Sequence, residues 1–258
     1  MSRSLRVAVA GKGGAGKTTL SSTMARLFAR QGLDVIVVDG DSNPNVATAL
    51  GIGREQAEAI QPLPMGLVSR NLNGKAALKE PVMDIVTRFG GLAPDGVHVL
   101  KMAMPAHADE GCLCSAHATV SALLADIEEL DNTISILDLE ASPEHLSRGT
   151  TRHVDALLLV VEPYYRSFET AKRMAALASE LPIPRVGVVA NKLRSPDDAS
   201  AIAEYCERHG LVLEGELPWS TLVLDADKAE IPLIDFDPSS PVVAAVRKLT
   251  DKLLQPTT

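Results

Sequence analysis

Gly11-Lys12-Gly13-Gly14-Ala15-Gly16-Lys17-Thr18-Thr19 decides how this chain folds. The stretch follows a short apolar, β-branched run at 5–10 and opens helical spacing at 18–30. From Gly11 to Thr18 it fits the phosphate-loop pattern of a glycine, four residues, then Gly-Lys-Ser/Thr. Each residue type has a reason. Glycines let the backbone take positive φ and turn amide N–H groups inward onto phosphate oxygens. The helix N-terminus adds partial positive charge, Lys17 neutralises β/γ oxygens, and the Thr18 hydroxyl can ligate Mg²⁺. The whole run from Gly11 to Thr19, Gly14 and Ala15 included, is the expected nucleotide cradle.

Gly11, Gly13 and Gly16 also satisfy the dinucleotide pattern G-x-G-x-x-G, and Asp39 sits where a ribose-binding acid would. Lys17-Thr18 separates the two readings, because a dinucleotide fold has no use for a cation and a hydroxyl there. The reading is a nucleoside triphosphate.

Outward from the loop, apolar runs alternate with helical stretches. The runs lie at 5–10, 34–39, 97–102, 133–138, 156–161, 185–190 and 211–217, and the helical stretches at 18–30, 116–130, 167–181 and 196–209. Several runs are apolar nearly throughout, as in strands covered on both faces. The expected fold is therefore α/β: a single P-loop domain over 1–258 with a mainly parallel sheet of about seven or eight strands flanked by helices. The exception is 51–96, a long connection with two short helices, expected to serve as a switch or insert region.

The composition of the 258 residues excludes other classes. Apolar residues make up 46% and charged residues 22%, ordinary for a globular protein. Twenty-five basic against 33 acidic side chains give a net charge of −8, which argues against nucleic acid or anionic membrane as partner. The longest apolar run, 156–161, is far short of the roughly 20 residues that span a bilayer. Three cysteines make no disulfide framework, so a reducing, cytoplasmic setting is expected.

Further candidates stand at strand ends. Asp39 and Asp41 flank Gly40 after the second run, at the edge where open α/β sheets bind ligands. Asp138 ends another hydrophobic run, in the manner of an acid holding a Mg²⁺-bound water. Asn191-Lys192 and Pro218 follow later runs. Cys112 and Cys114 precede a helix expected near Ala116; in an extended segment both sulfurs would face one centre. Two thiolates fill half of a Zn²⁺ or Ni²⁺ shell, so a twofold dimer could complete the site within an interface segment at 107–117. His117 is a weaker candidate, with His107, Asp109 and Glu110 weaker still, and Cys206 reads as a buried apolar residue.

Lys12, directly after the first glycine, resembles the second lysine of the deviant phosphate loop found in MinD, ParA, the nitrogenase iron protein and metal-insertion ATPases. That resemblance implies that Lys12 reaches the partner subunit's phosphates, as an arginine finger does. It also implies that Asp41 orients the attacking water, that Asp39 supports Mg²⁺, and that Asn191 and the residues around Pro218 hold adenine. The run Glu144-His145-Leu146-Ser147-Arg148-Gly149-Thr150 after Asp138 is similar to the second switch of carbon monoxide dehydrogenase maturation ATPases, which insert nickel. Their C-x-C at the dimer interface is matched by Cys112 and Cys114. Ser142-Pro143 departs from that pattern, and Pro143 lacks an N–H.

The resemblance implies a cytoplasmic, Mg²⁺-dependent ATPase, homodimeric with ATP or metal, that shares Ni²⁺ or Zn²⁺ across the dimer and serves a client metalloenzyme. Two alternatives stand beside it: a ParA/MinD-like positioning ATPase, and an electron-transfer ATPase with a shared iron–sulfur cluster. The tail at 241–254, with few basic residues and no aromatic, reads as a helix docked on the sheet instead of a membrane-binding one.

Overall fold

The computed structural model describes residues 4–70, 76–103, 114–140, 144–147 and 149–255. β1 (Leu5–Gly11) passes through the glycine loop into α1 (Lys17–Arg30) and then β2 (Asp34–Gly40). The long connection carries α2 (Val46–Ala49), α3 (Arg54–Ala59), a hairpin of β3 (Val68–Arg70) and β4 (Ala76–Leu78), α4 (Val82–Phe89) and β5 (Gly91–Leu92). There follow β6 (His98–Lys101), α5 (Cys114–Ile127), β7 (Thr133–Leu139), α6 (Glu144–Ser147) and β8 (Ala156–Val161). The last part runs α7 (Tyr165–Ala178), β9 (Arg185–Leu193), α8 (Pro196–His209), β10 (Val212–Pro218), α9 (Thr221–Lys228), α10 (Leu233–Phe236) and α11 (Pro241–Leu253).

The main sheet has eight strands in the order β10-β9-β8-β1-β7-β2-β6-β5, parallel except for the edge pair of β5 and β6. The chain builds one side of β1 first and then crosses to the other, so the direction of winding reverses at β1. Ligands of such sheets bind beyond the strands' C-terminal ends at that reversal, where β1 gives way to the glycine loop.

The apolar runs do not alternate because both faces of the sheet are buried. Val7 and Val9 of β1 join Met24, Phe28 of α1 and Val243, Val246 of α11 on one face. Ala8 and Ala10 join Val120, Leu124 of α5 and Met174 of α7 on the other. A large-to-alanine change in either layer costs about 2–5 kcal/mol. The tail helix α11 is docked as the sequence suggests, with Val242, Val243, Val246, Leu249 and Leu253 all buried.

Element ends follow capping chemistry. Ser195 Oγ accepts from the Asp198 amide while Asp198 Oδ2 accepts from the Ser195 amide, Pro196 takes the first turn, and Gly210 closes α8 at φ 64°. Where such signals are missing, short elements leave little trace in the sequence. The 51–96 connection contains a hairpin and an edge strand besides its helices; strands of two or three residues are too short to show a period. Helix α5 begins at Cys114, close to the expected start near Ala116, so Cys114 lies in a helix instead of an extended segment.

Candidate functional site

The loop between β1 and α1 brings its amides to the C-terminal edge of the sheet. Gly16 caps α1 in the left-handed region, φ 96° and ψ 23°. A Cβ there would stand 2.3 Å from Asn191 Nδ2, so only glycine fits. Asn191 is the reason for the close approach: its Nδ2 donates to Ala15 O at 2.7 Å, and its Oδ1 accepts from the Lys192 amide at 2.8 Å. Lys192 holds a strained φ of 60° and donates from Nζ to Gly14 O at 2.6 Å. Glu162 pairs with that ammonium at 3.2 Å. The loop is thus fastened from β9, and a loop held in place has a lower ordering cost on binding.

Lys17 is buried, and its Nζ donates to Lys12 O at 3.4 Å across the loop. The Lys12 ammonium lies over the Tyr164 ring, 5.4 Å from its centroid. Lys12 therefore leans outward from the loop that Lys17 spans.

Three acids face this loop. Asp39 and Asp138 are register partners on the adjacent parallel strands β2 and β7, and both are 1% exposed. Asp138 Oδ2 accepts from Thr18 Oγ1 at 2.7 Å and Oδ1 from Ser21 Oγ at 3.0 Å. Asp39 accepts from the amides of Asp41 at 3.2 Å and Val46 at 2.9 Å. Asp41 Oδ1 accepts from the Asn43 amide at 2.9 Å. Burial pushes Asp39 up to about 7, aided by the charges of Asp138 and Asp41 and opposed by its two amide bonds. Burial likewise pushes Asp138 up to about 6, against the hydroxyls of Thr18 and Ser21 and the charge of Lys17. Thr18 Oγ1 and the carboxylates of Asp39, Asp41 and Asp138 are hard oxygen donors of the kind Mg²⁺ takes; they do not by themselves form a closed ligand set, which suits an ion that keeps waters and phosphate oxygens in its shell.

A cleft of about 1200 Å³ opens above the loop, bounded by Lys17, Thr18, Asp41, Asn191, Pro218 and Trp219 among others. It has room for a nucleotide. Pro218 pairs with Leu193 across β9 and β10, and the Trp219 amide donates to Leu193 O at 2.8 Å. The Arg194 guanidinium lies 4.8 Å over the Trp219 ring, leaving a flat, partly exposed indole at the end of the cleft away from the acids.

The fold gathers Gly11–Thr19, Asp39, Asp41, Asp138, Asn191, Lys192 and Pro218 at one sheet edge. Cys114 does not line the cleft; it opens α5 beside the turn at Met65–Leu67, where Ser115 Oγ donates to Met65 O at 2.9 Å. Cys112 lies outside the described residues, as do His107, Asp109, Glu110 and Ser142-Pro143. Among the described residues no cluster of three metal-ligating side chains forms. His117 Nδ1 lies 2.7 Å from Thr150 Oγ1. Cys206 is buried on α8, and burial pushes its thiol up. Sequence reasoning missed Ser21, which sits one turn after Thr18 on the same helix face; that spacing was the available signal. It also missed Tyr164 and Glu162, for which no local pattern exists. Among the described residues no helix is long and apolar enough to cross a membrane.

Comparison with known proteins agrees with this geometry. The carbon monoxide dehydrogenase accessory protein CooC of Rhodospirillum rubrum is 33% identical over 242 residues, covering 91% of each chain. An iron–sulfur cluster carrier protein of Pyrococcus horikoshii is 23% identical over 95% of this chain and 84% of its own. The structure of the septum site-determining protein MinD complexed with Mg-ADP, from Pyrococcus horikoshii, superposes with a TM-score of 0.71 over 96% of this chain and 95% of that one, at 14% identity. Residues 7–234 match the family described as the CobQ/CobB/MinD/ParA nucleotide binding domain. With that match over most of its length and a phosphate loop at the winding reversal of its sheet, the chain belongs to the CobQ/CobB/MinD/ParA family of P-loop ATPases.

Proposed function

We propose that this ATPase works as a Mg²⁺-dependent homodimer that carries Ni²⁺ or Zn²⁺ on Cys112 and Cys114 and helps load a client metalloenzyme such as carbon monoxide dehydrogenase. The observation that carries the reading is the 33% identity over 91% of the chain to a carbon monoxide dehydrogenase accessory protein, joined to the Lys12–Lys17 loop.

Phosphoryl transfer needs position and charge more than covalent help. In this reading the loop amides of Gly11–Gly16 and the Lys17 ammonium bind the phosphates, while Thr18 and Thr19 meet them from the first turn of α1. Mg²⁺ would be held by Thr18 Oγ1, with Asp39, Asp41 and Asp138 acting directly or through water; it supplies charge stabilisation to the phosphoryl group. Asp41 orients the attacking water, and Lys12 serves the partner's nucleotide as a charge stabiliser. Asn191, Lys192 and Pro218 form the adenine side, with Trp219 beside them. Each subunit contributes two thiolates to one shared ion, and ATP favours the dimer that holds it. Partner and compartment follow the same reading: a client metalloenzyme in the cytoplasm, with no nucleic acid and no membrane.

Equilibrium dialysis with nickel and zinc tests the metal half. Binding should saturate near one ion per dimer, weaken as pH falls because thiolates must lose protons, and be lost in the Cys112→Ser, Cys114→Ser double variant with ATP binding kept. Unchanged stoichiometry and affinity in that variant would leave these cysteines structural. The 23% relative named as an iron–sulfur cluster carrier keeps a second reading in view, in which the same four thiolates hold a cluster. Visible absorption and iron analysis after anaerobic purification separate the two.

A further inference from the structure

His145, in the segment after Asp138, packs against two other elements. A Cβ on Gly40 would lie 3.3 Å from His145 Cε1 and 3.1 Å from Asp138 O, so the edge of the His145 ring packs on the backbone between Asp39 and Asp41. That ring also meets His117, with centroids 4.8 Å apart and planes at 75°. His117 lies in the first turn of α5, the helix that Cys114 opens. Its Nδ1 is 2.7 Å from Thr150 Oγ1, and the Thr150 amide donates to His145 O at 3.0 Å. Both imidazoles are 4% exposed and Thr150 is fully buried.

Three elements therefore meet in one buried joint: the turn after β2, the segment after β7, and the start of α5. The first two follow Asp39 and Asp138, which face the phosphate loop; the third begins with a cysteine. Protein interiors are close-packed and repack between discrete arrangements instead of deforming smoothly. A shift at Gly40 or in α6 must therefore move the His145 ring, and that ring has His117 against it.

We propose that His145 and His117 are positioning residues that couple the nucleotide state at Asp39–Asp41 to the first turn of α5, with Thr150 holding His117 in register. The coupling rests on the ATPase reading of the loop and does not require any metal at the cysteines. Coupling between two such sites is worth about 5- to 150-fold in an equilibrium.

Hydrogen–deuterium exchange of the full chain, with Mg-ADP and with Mg²⁺ plus a non-hydrolysable ATP analogue, reads it directly. In the wild type, exchange in residues 115–122 should differ between the two nucleotides by about fivefold or more. His145→Ala and Thr150→Val should each shrink that difference below about twofold while calorimetric nucleotide affinity stays within about threefold. Thr150→Val preserves shape and removes only the hydroxyl contact, so it carries the test alone should His145→Ala fold poorly. Equal exchange with both nucleotides in the wild type, or an undiminished difference in Thr150→Val, overturns the coupling. Absence of nucleotide binding in the calorimetric arm is a separate outcome that removes the ATPase reading and the joint together.

Discussion

Asp39 and Asp138 stand opposite one another on neighbouring parallel strands, both buried, and burial together with nearby carboxylate charge raises them to about 7 and about 6. Two carboxyls that resist ionisation at one sheet edge are poorly placed for stability and well placed for a cation. Lys17 supplies only part of the compensating charge.

That relationship sets the pH dependence of the nucleotide-free protein. Both groups bind a proton more tightly folded than unfolded, where the ordinary value is 3.8. Their contribution to stability is complete below that ordinary value and is lost as pH rises through about 6 and about 7. The thermal unfolding midpoint should fall as pH rises from about 4 to about 7 and level off above that. Asp39→Asn should flatten the slope and gain about 1–3 kcal/mol at the alkaline end. A wild-type midpoint that climbs over this range contradicts the assignment.

Ser21 lowers the Asp138 value through its hydroxyl. Ser21→Ala leaves a buried carboxylate oxygen with one partner fewer and should cost about 1–3 kcal/mol near neutral pH. The loss should be smaller in acid, where Asp138 is protonated. Urea unfolding at two pH values checks both the size and the direction.

Gly16→Ala is expected to cost more than an ordinary loop change. Alanine would need a positive φ and would meet Asn191 Nδ2 at 2.3 Å. A loss of at least about 2–3 kcal/mol should accompany loss of nucleotide binding. Asn191→Ala should relieve nothing by itself, since it also frees Ala15 O and the Lys192 amide; a drop of about 1–2 kcal/mol is expected by denaturant titration.

Lys17→Ala should weaken ATP by about 100-fold or more, while Asp41→Ala should bind ATP nearly as well and hydrolyse it about 100-fold more slowly. Calorimetry and a phosphate-release assay measure the two separately. Unchanged affinity in Lys17→Ala would remove the loop from the account.

The parts of the fold that could be read from sequence are those with local causes. The glycine loop and its two lysines, the doubly buried runs, and α8 with its Ser195 cap and Gly210 stop all announce themselves within a few residues. Asp39 and Asp138 are legible as strand ends, yet their pairing is a fact of strand order, since β7 inserts between β1 and β2. The β3–β4 hairpin has too few residues for a period. Tyr164 under Lys12 and His145 against Gly40 join segments far apart in the chain, and no spacing rule finds them.

Mixing two inactive variants tests the central claim of a two-chain catalytic site. Lys12→Gln lacks the lysine proposed to cross the interface, and Asp41→Ala lacks the acid proposed to orient water. In a symmetric dimer each mixed pair rebuilds one complete site, so random assortment should restore about a quarter of wild-type ATP turnover. Recovery of that order on mixing is the predicted result; turnover no higher than the mean of the two separate variants would contradict it.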